Sequence, residues 1–197
     1  MNKRFFSLAA LFVLLATLTA CQITKKKTEE SPPPKIARDQ KIQELSLGQQ
    51  IQALQILLPI AEILSSNAFL NLDQSNDPKG IDLNNNGVRD DVEVWISEQP
   101  IPVAQRKAIM QIAVVFQKTI FVNLKDKVAV QTLNDELMAA TACVFNIFES
   151  TRDVGKDLVK KTQAITFNTE ERALPYVLFN VTPINKAIKV PEGNTCK

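Results

Sequence analysis

Residues 82–93 read DLNNNGVRDDVE, which puts oxygen-bearing side chains at alternate positions, Asp82, Asn84 and Asn86, then a glycine at 87, then Asp90, Asp91 and Glu93. Carboxylates and amides at that spacing suit a hard divalent cation, which takes about six to eight oxygens at 2.3–2.6 Å. A chain wrapped round such an ion turns alternate side chains inward until a sharp bend redirects it, and Gly87 stands where that bend is needed. Other site chemistry is poorly supplied. The 197 residues contain no histidine, which removes the commonest general base and transition-metal ligand, together with Ser-His-Asp, Cys-His and paired-histidine zinc arrangements.

The segment fits D-x-[DN]-x-[DN]-G-x5-E at every fixed position and so resembles the calcium loop of EF-hand proteins. The resemblance implies that Asp82, Asn84 and Asn86 each give a side-chain oxygen, Val88 its backbone carbonyl, Asp90 a water-mediated contact and Glu93 both carboxylate oxygens. Three carboxylates, or four if Asp91 rotates inward, imply weak calcium binding, in the extracellular range of roughly 10⁻⁴ to 10⁻³ M. Magnesium fits less well, since it prefers compact octahedral sites that retain water. Arg89 departs from the hydrophobic residue usual in the family, which leaves the β-contact between paired loops without its usual residue. Upstream, Asn76-Asp77-Pro78-Lys79-Gly80 is a turn sequence that opposes an entering helix, whereas residues 91–96 make a good first helical turn. The likeness therefore covers a loop and its exiting helix, as in single-site modules. The competing reading is a plain helix start, with Asp90, Asp91 and Glu93 complementing the helix dipole. That reading does not call for Asp82, Asn84, Asn86 and Gly87 upstream. The run 86–93, followed by helices and two cysteines, also resembles a group of uncharacterised bacterial exported proteins over about residues 80–197, and this implies no activity.

The amino terminus carries an address. Lys3 and Arg4 precede an apolar run from Phe5 to Leu18, and small residues stand before Cys21. The run is shorter than the roughly 20 residues that a membrane-spanning helix needs, and no other stretch could span. Leu18-Thr19-Ala20-Cys21 resembles the bacterial lipobox, which implies cleavage after residue 20, lipidation of Cys21 and anchoring by several acyl chains. Gln22, where an Asp would retain the protein at the inner membrane, implies the periplasmic face of the outer membrane in a host that has one. Residues 21–35 then form a polar, Pro-rich tether whose Lys25 to Lys27 are read as solvated, and residues 36–197 form a single domain.

Removal of Lys3 and Arg4 takes the formal charge of +2 to zero, leaving 21 basic side chains against 21 acidic. No basic run is interleaved with aromatics, so nucleic acid is not an expected partner.

Helical spacing dominates from residue 36. Ile51, Leu54, Leu58, Ala61 and Leu64 form one stripe, with Pro59 predicting a kink or break and Gly48 a weak point. Pro102 is placed as a helix start; Ile109, Ile112, Phe116 and Ile120 mark a central helix. Ala129, Leu133, Leu137, Ala140, Val144 and Phe148 mark another, capped by Asp126. A shorter helix is predicted over 155–165, a capping box at Asn168 and Glu171, and a last helix from Thr182-Pro183. Phe116, Phe121, Phe145 and Phe148 are read as core. With no sustained alternation and no internal repeat, the expectation is an all-α bundle of five to seven helices.

With Cys21 lipidated, Cys143 and Cys196 remain as an even pair in an oxidising compartment, which predicts a disulfide. Two free thiols are the alternative. The functional expectation is a lipid-anchored, calcium-binding, non-enzymatic binding or structural module of the envelope with a possible protein partner there; a variant is an immunity or inhibitor lipoprotein. A hydrolase of envelope polymers would have to use carboxylates such as Glu136, Glu149, Glu170 or Glu171, and a calcium sensor would need a second loop.

Overall fold

The structure, a computed structural model, describes residues 44–66, 69, 71–184 and 191–197. The signal segment, the Leu18–Cys21 motif and the tether lie outside these residues. The chain divides into two compact units, Met1–Gln52 and Ala53–Lys197. Among the described residues there are six α-helices and no strand, as an all-α bundle requires: α1 Leu47–Leu64, α2 Asp90–Ser97, α3 Val103–Thr119, α4 Lys127–Ile147, α5 Arg152–Thr166 and α6 Glu170–Val181. A 3-10 turn, Glu149–Thr151, joins α4 to α5. No described helix is long and apolar enough to cross a membrane.

A reciprocal cap starts α1. The Ser46 N–H donates to Gln49 Oε1 at 3.0 Å while the Gln49 N–H donates to Ser46 Oγ at 3.4 Å, so two orphan amide donors are satisfied. The helix then continues through Pro59, so of the kink or break expected there the break does not occur. Its buried stripe also differs from the predicted one: Ala53, Leu57, Ile60 and Leu64 are buried, while Ile51 and Leu58 are exposed. The two stripes have the same period and lie on neighbouring faces of a segment that is apolar nearly all round, so periodicity alone does not choose between them.

In the second unit α3 is central, packing against α2, α4, α5 and α6. Its core face comprises Ile109, Ile112, Ala113 and Phe116, and Ile120 is buried just beyond its end. Pro102 is the N-cap residue and Val103 the first helical one, a register one residue later than a helix-starting proline would have. The Asp126 cap of α4 forms as expected, its Oδ1 accepting from the N–H groups of Val128 and Ala129 at 3.0 Å each. Leu133, Ala140, Val144 and Phe148 are buried along α4.

Phe121 and Phe145 are not core residues: they are 56% and 45% exposed. Phe121 lies in the turn after α3, and Phe145 falls off the α4 row that carries Ala140 and Val144. The aromatic core instead joins Phe116 to Phe167 and Tyr176, which stack with centroids 3.9 Å apart. Thr169, not Asn168, is the N-cap of α6, and Thr182 closes that helix as its C-cap. No helix begins at Thr182, Pro183 or Ile184, and residues 185–190 lie outside the described set.

Cys143, buried on α4, is disulfide-bonded to Cys196 with Cα atoms 4.9 Å apart. Gln111 of α3 holds the same terminal segment, donating to the Thr195 carbonyl and accepting from the Lys197 N–H, both at 2.9 Å.

Candidate metal centre

Two backbone features curl residues 82–93. Gly87 has φ +86° and Asn85 φ +55°, left-handed conformations that glycine and asparagine adopt most readily. The Asp90 N–H then donates to the Ile81 carbonyl at 2.8 Å, closing the loop just before α2. Within it, Asp82 Oδ1 accepts from the Asn86 N–H at 3.1 Å and Asp82 Oδ2 from the Gly87 N–H at 3.2 Å. Asn84 Oδ1 takes the Asn86 N–H at 3.1 Å, and Asn86 Oδ1 takes the Val88 N–H at 2.9 Å.

Glu93, in the first turn of α2, reaches back over the loop. Its two oxygens accept from the side-chain amides of Asn84, at 3.0 Å, and Asn86. Asp90 turns its Oδ1 to the Leu83 N–H at 3.1 Å, and the Val88 side chain is buried beneath. The sequence-predicted residues Asp82, Asn84, Asn86 and Glu93 are thus joined in one hydrogen-bonded cluster, with Asp90 and Val88 at its edge.

The oxygen groups gathered here suit a hard cation in kind, since each is a carboxylate, an amide or a peptide carbonyl. It is thin in charge. Among the described residues no three Asp, Glu, Cys or His side chains gather closely enough to hold a metal by themselves. The two facts differ because they concern different ligands: carboxylates alone do not gather, whereas calcium also takes the amide and backbone oxygens that this loop interleaves with Asp82 and Glu93.

Asp91, a possible fourth carboxylate, does not belong to the cluster. It is turned away and gripped by Arg89, whose Nε and Nη2 meet its two oxygens at 2.6 and 2.9 Å. Arg89 itself is only 1% exposed, and its remaining N–H groups donate to the carbonyls of Ile165 (2.9 Å) and Thr166 (3.2 Å) at the C-terminus of α5. The end of a helix offers unpaired carbonyls and partial negative charge, which suits a guanidinium. Position 89 is therefore taken by a buried cation that docks the loop on α5.

A second buried arginine completes the frame. Arg172 of α6 donates to Asp73 Oδ2 (2.9 Å), to the Asp73 carbonyl (2.7 Å), to the Asp77 carbonyl (2.8 Å) and to Asn168 Oδ1 (2.9 Å). Asn168, predicted as a cap, instead gives its amide to the Asp73 carbonyl at 2.8 Å. Gln117 of α3 adds a bond to the Lys79 carbonyl at 3.2 Å. Burial lowers the Arg172 guanidinium from its ordinary value and neighbouring Arg89 lowers it further, against the opposing pull of Asp73 and Asp91. As the turn sequence Asn76–Gly80 led one to expect, residues 71–89 form no helix.

Sequence reasoning missed this frame. Its one local signal was a charged residue, Arg89, at a position where the resembling family has an apolar one. The carboxylates considered for hydrolysis are dispersed: Glu136 pairs with Lys118 at 2.6 Å beside a groove of about 320 Å³ between α3 and α4, Glu149 lies in the 3-10 turn, and Glu170 and Glu171 open α6.

No family model matches the chain, and neither a curated protein nor a solved structure matches it.

Proposed function

We propose that this is a lipid-anchored helical protein of the bacterial cell envelope, held at the periplasmic face of the outer membrane through Cys21, which binds calcium in loop 82–93 and serves as a non-enzymatic binding or structural module. The observation that carries the calcium reading is the convergence of Asp82, Asn84 and Asn86 with Glu93 of the following helix, across the bend at Gly87. A plain helix start needs carboxylates near the first turn but no upstream side chains folded back to meet them. Calcium would be held by Asp82, Asn84, Asn86, the Val88 carbonyl and Glu93, with Asp90 acting through water. It would supply local cross-linking charge, tying the loop to the first turn of α2. The anchoring reading rests on the Leu18–Cys21 motif behind an apolar run.

Thermal melts in EDTA and across a calcium titration test the metal site, with Asp82→Ala as control. A calcium-dependent rise in Tm that the variant loses supports it; no shift at millimolar calcium overturns it. Incorporation of labelled palmitate, abolished by Cys21→Ser, tests the anchor.

A further inference from the structure

The twelve-residue loop has two halves that must keep register for a cation to be held: residues 82–88, and the first turn of α2 with Asp90 and Glu93. The residue between them is Arg89, and its guanidinium leaves the loop altogether. It crosses Gly80, where a Cβ would meet Arg89 Cδ at 2.3 Å, and ends on the carbonyls of Ile165 and Thr166. On the way it grips both oxygens of Asp91. Asp91 Oδ2 in turn accepts the Asp73 N–H at 2.8 Å, and Asp73 is held by Arg172. One continuous chain of charge-assisted bonds therefore runs from the end of α5 through Arg89, Asp91 and Asp73 to Arg172 on α6. It holds Asp73 and Asp77, upstream of the loop, together with Asp91 in the helix turn that leaves it.

We propose that Arg89, Asp91 and Arg172 are positioning residues for the calcium loop, and that this frame, which contributes no ligand, sets its calcium affinity. This rests on the reading of loop 82–93 as a calcium site. With three carboxylates and two amides the ligand set is weak by charge, so affinity depends on how little ordering is left to be done when the ion arrives. Partners behind metal ligands commonly carry 10–100-fold of metal affinity.

Charge and positioning predict opposite signs. Arg89 is a cation close to a cation site, so on charge alone its removal strengthens calcium binding. If it positions the loop, its removal weakens binding. The test is isothermal titration of the intact protein with calcium, well below Tm, for wild type, Arg89→Gln, Arg89→Lys and Arg172→Met. The expected result is a Kd weakened about tenfold by Arg89→Gln and by Arg172→Met, with partial recovery in Arg89→Lys. A Kd unchanged within twofold, or tightened, in folded variants makes the frame merely structural and overturns the proposal, even if Tm falls. Where Arg89→Gln does not fold, Arg172→Met, whose side chain touches none of the ligands, decides in the same way. Should wild type itself take up no calcium, the reading of the loop fails, a result distinct from equal binding by wild type and variants.

Discussion

Asp73 and Asp91, eighteen residues apart, meet without repulsion: the Asp73 N–H donates to Asp91 Oδ2 at 2.8 Å, and each carboxylate has its own buried arginine, Arg172 for Asp73 and Arg89 for Asp91. Removing either guanidinium would leave a partly buried carboxylate beside a second one. The pairing ties the irregular segment 71–89 to α5 and α6 although it has no regular secondary structure.

Gly80 is the position where this frame tolerates least change. Its φ of +63° is left-handed, and an added Cβ would come within 2.8 Å of Asp73 Oδ2 as well as striking the Arg89 stem. Gly80→Ala is expected to destabilise by about 3 kcal/mol, combining backbone strain with displacement of a buried ion pair. Gly48→Ala, where a Cβ meets nothing, should change little. Urea unfolding of both variants checks this, and a similar midpoint for the two would contradict it.

Asp73 makes the frame sensitive to acid. Burial pushes its carboxyl up, but the Ser75 N–H and hydroxyl, with Arg172 and Arg89, together hold it below the ordinary 3.8. A carboxyl depressed in the folded state contributes stability that is complete above its unfolded value and is lost as pH falls through the folded value. The loss should therefore begin as pH drops below 3.8. Asp73→Asn is expected to lower Tm at neutral pH and to flatten the acid limb of the Tm–pH curve. Parallel acid limbs for variant and wild type would refute it.

The Cys143–Cys196 bond closes a 53-residue separation and pins the terminal segment on α4. In the chain-entropy model a loop of that size contributes about 4 kcal/mol. Reduction, or the double substitution Cys143→Ser with Cys196→Ser, should lower stability by that order. Because Gln111 also holds Thr195 and Lys197, the segment has a second attachment, so helix content by circular dichroism should be kept. Collapse of helicity on reduction would show that the bond maintains the bundle itself.

What the sequence disclosed about this fold was what depends on near neighbours. The Asp126 cap, the α3 and α4 stripes and the turn before Gly80 all rest on partners within about a dozen residues, where spacing carries the information. The frame was not legible because its contacts are distant: Arg89 meets Ile165 across 76 residues, and Arg172 meets Asp73 across 99. Nor does any local rule say that Asn168, followed by Thr169 and Glu171, should give up capping to bind the Asp73 carbonyl. The face of α1 and the exposure of Phe121 and Phe145 failed for a related reason, since apolar side chains outnumber the buried positions and only tertiary packing selects among them.

Tyr176 allows a test of the core that does not involve the loop. Its ring stacks on Phe167 and meets Phe116 edge-on, and burial pushes its hydroxyl up to about 12 against a smaller opposing effect of Asn180. A group whose folded value is raised contributes stability that is complete below its unfolded value of 10.0 and is lost as pH rises toward 12. It is the chain's only tyrosine, so tyrosinate absorbance reads it without ambiguity. In folded protein the absorbance should rise well above pH 10 and together with loss of helicity, because ionisation draws the chain toward the unfolded state. Tyr176→Phe keeps the stacked ring and removes the titrating group, so it should be more resistant to alkali than wild type over this interval. Ionisation at the ordinary value with helicity intact would mean that the Phe116, Phe167 and Tyr176 cluster is open to water.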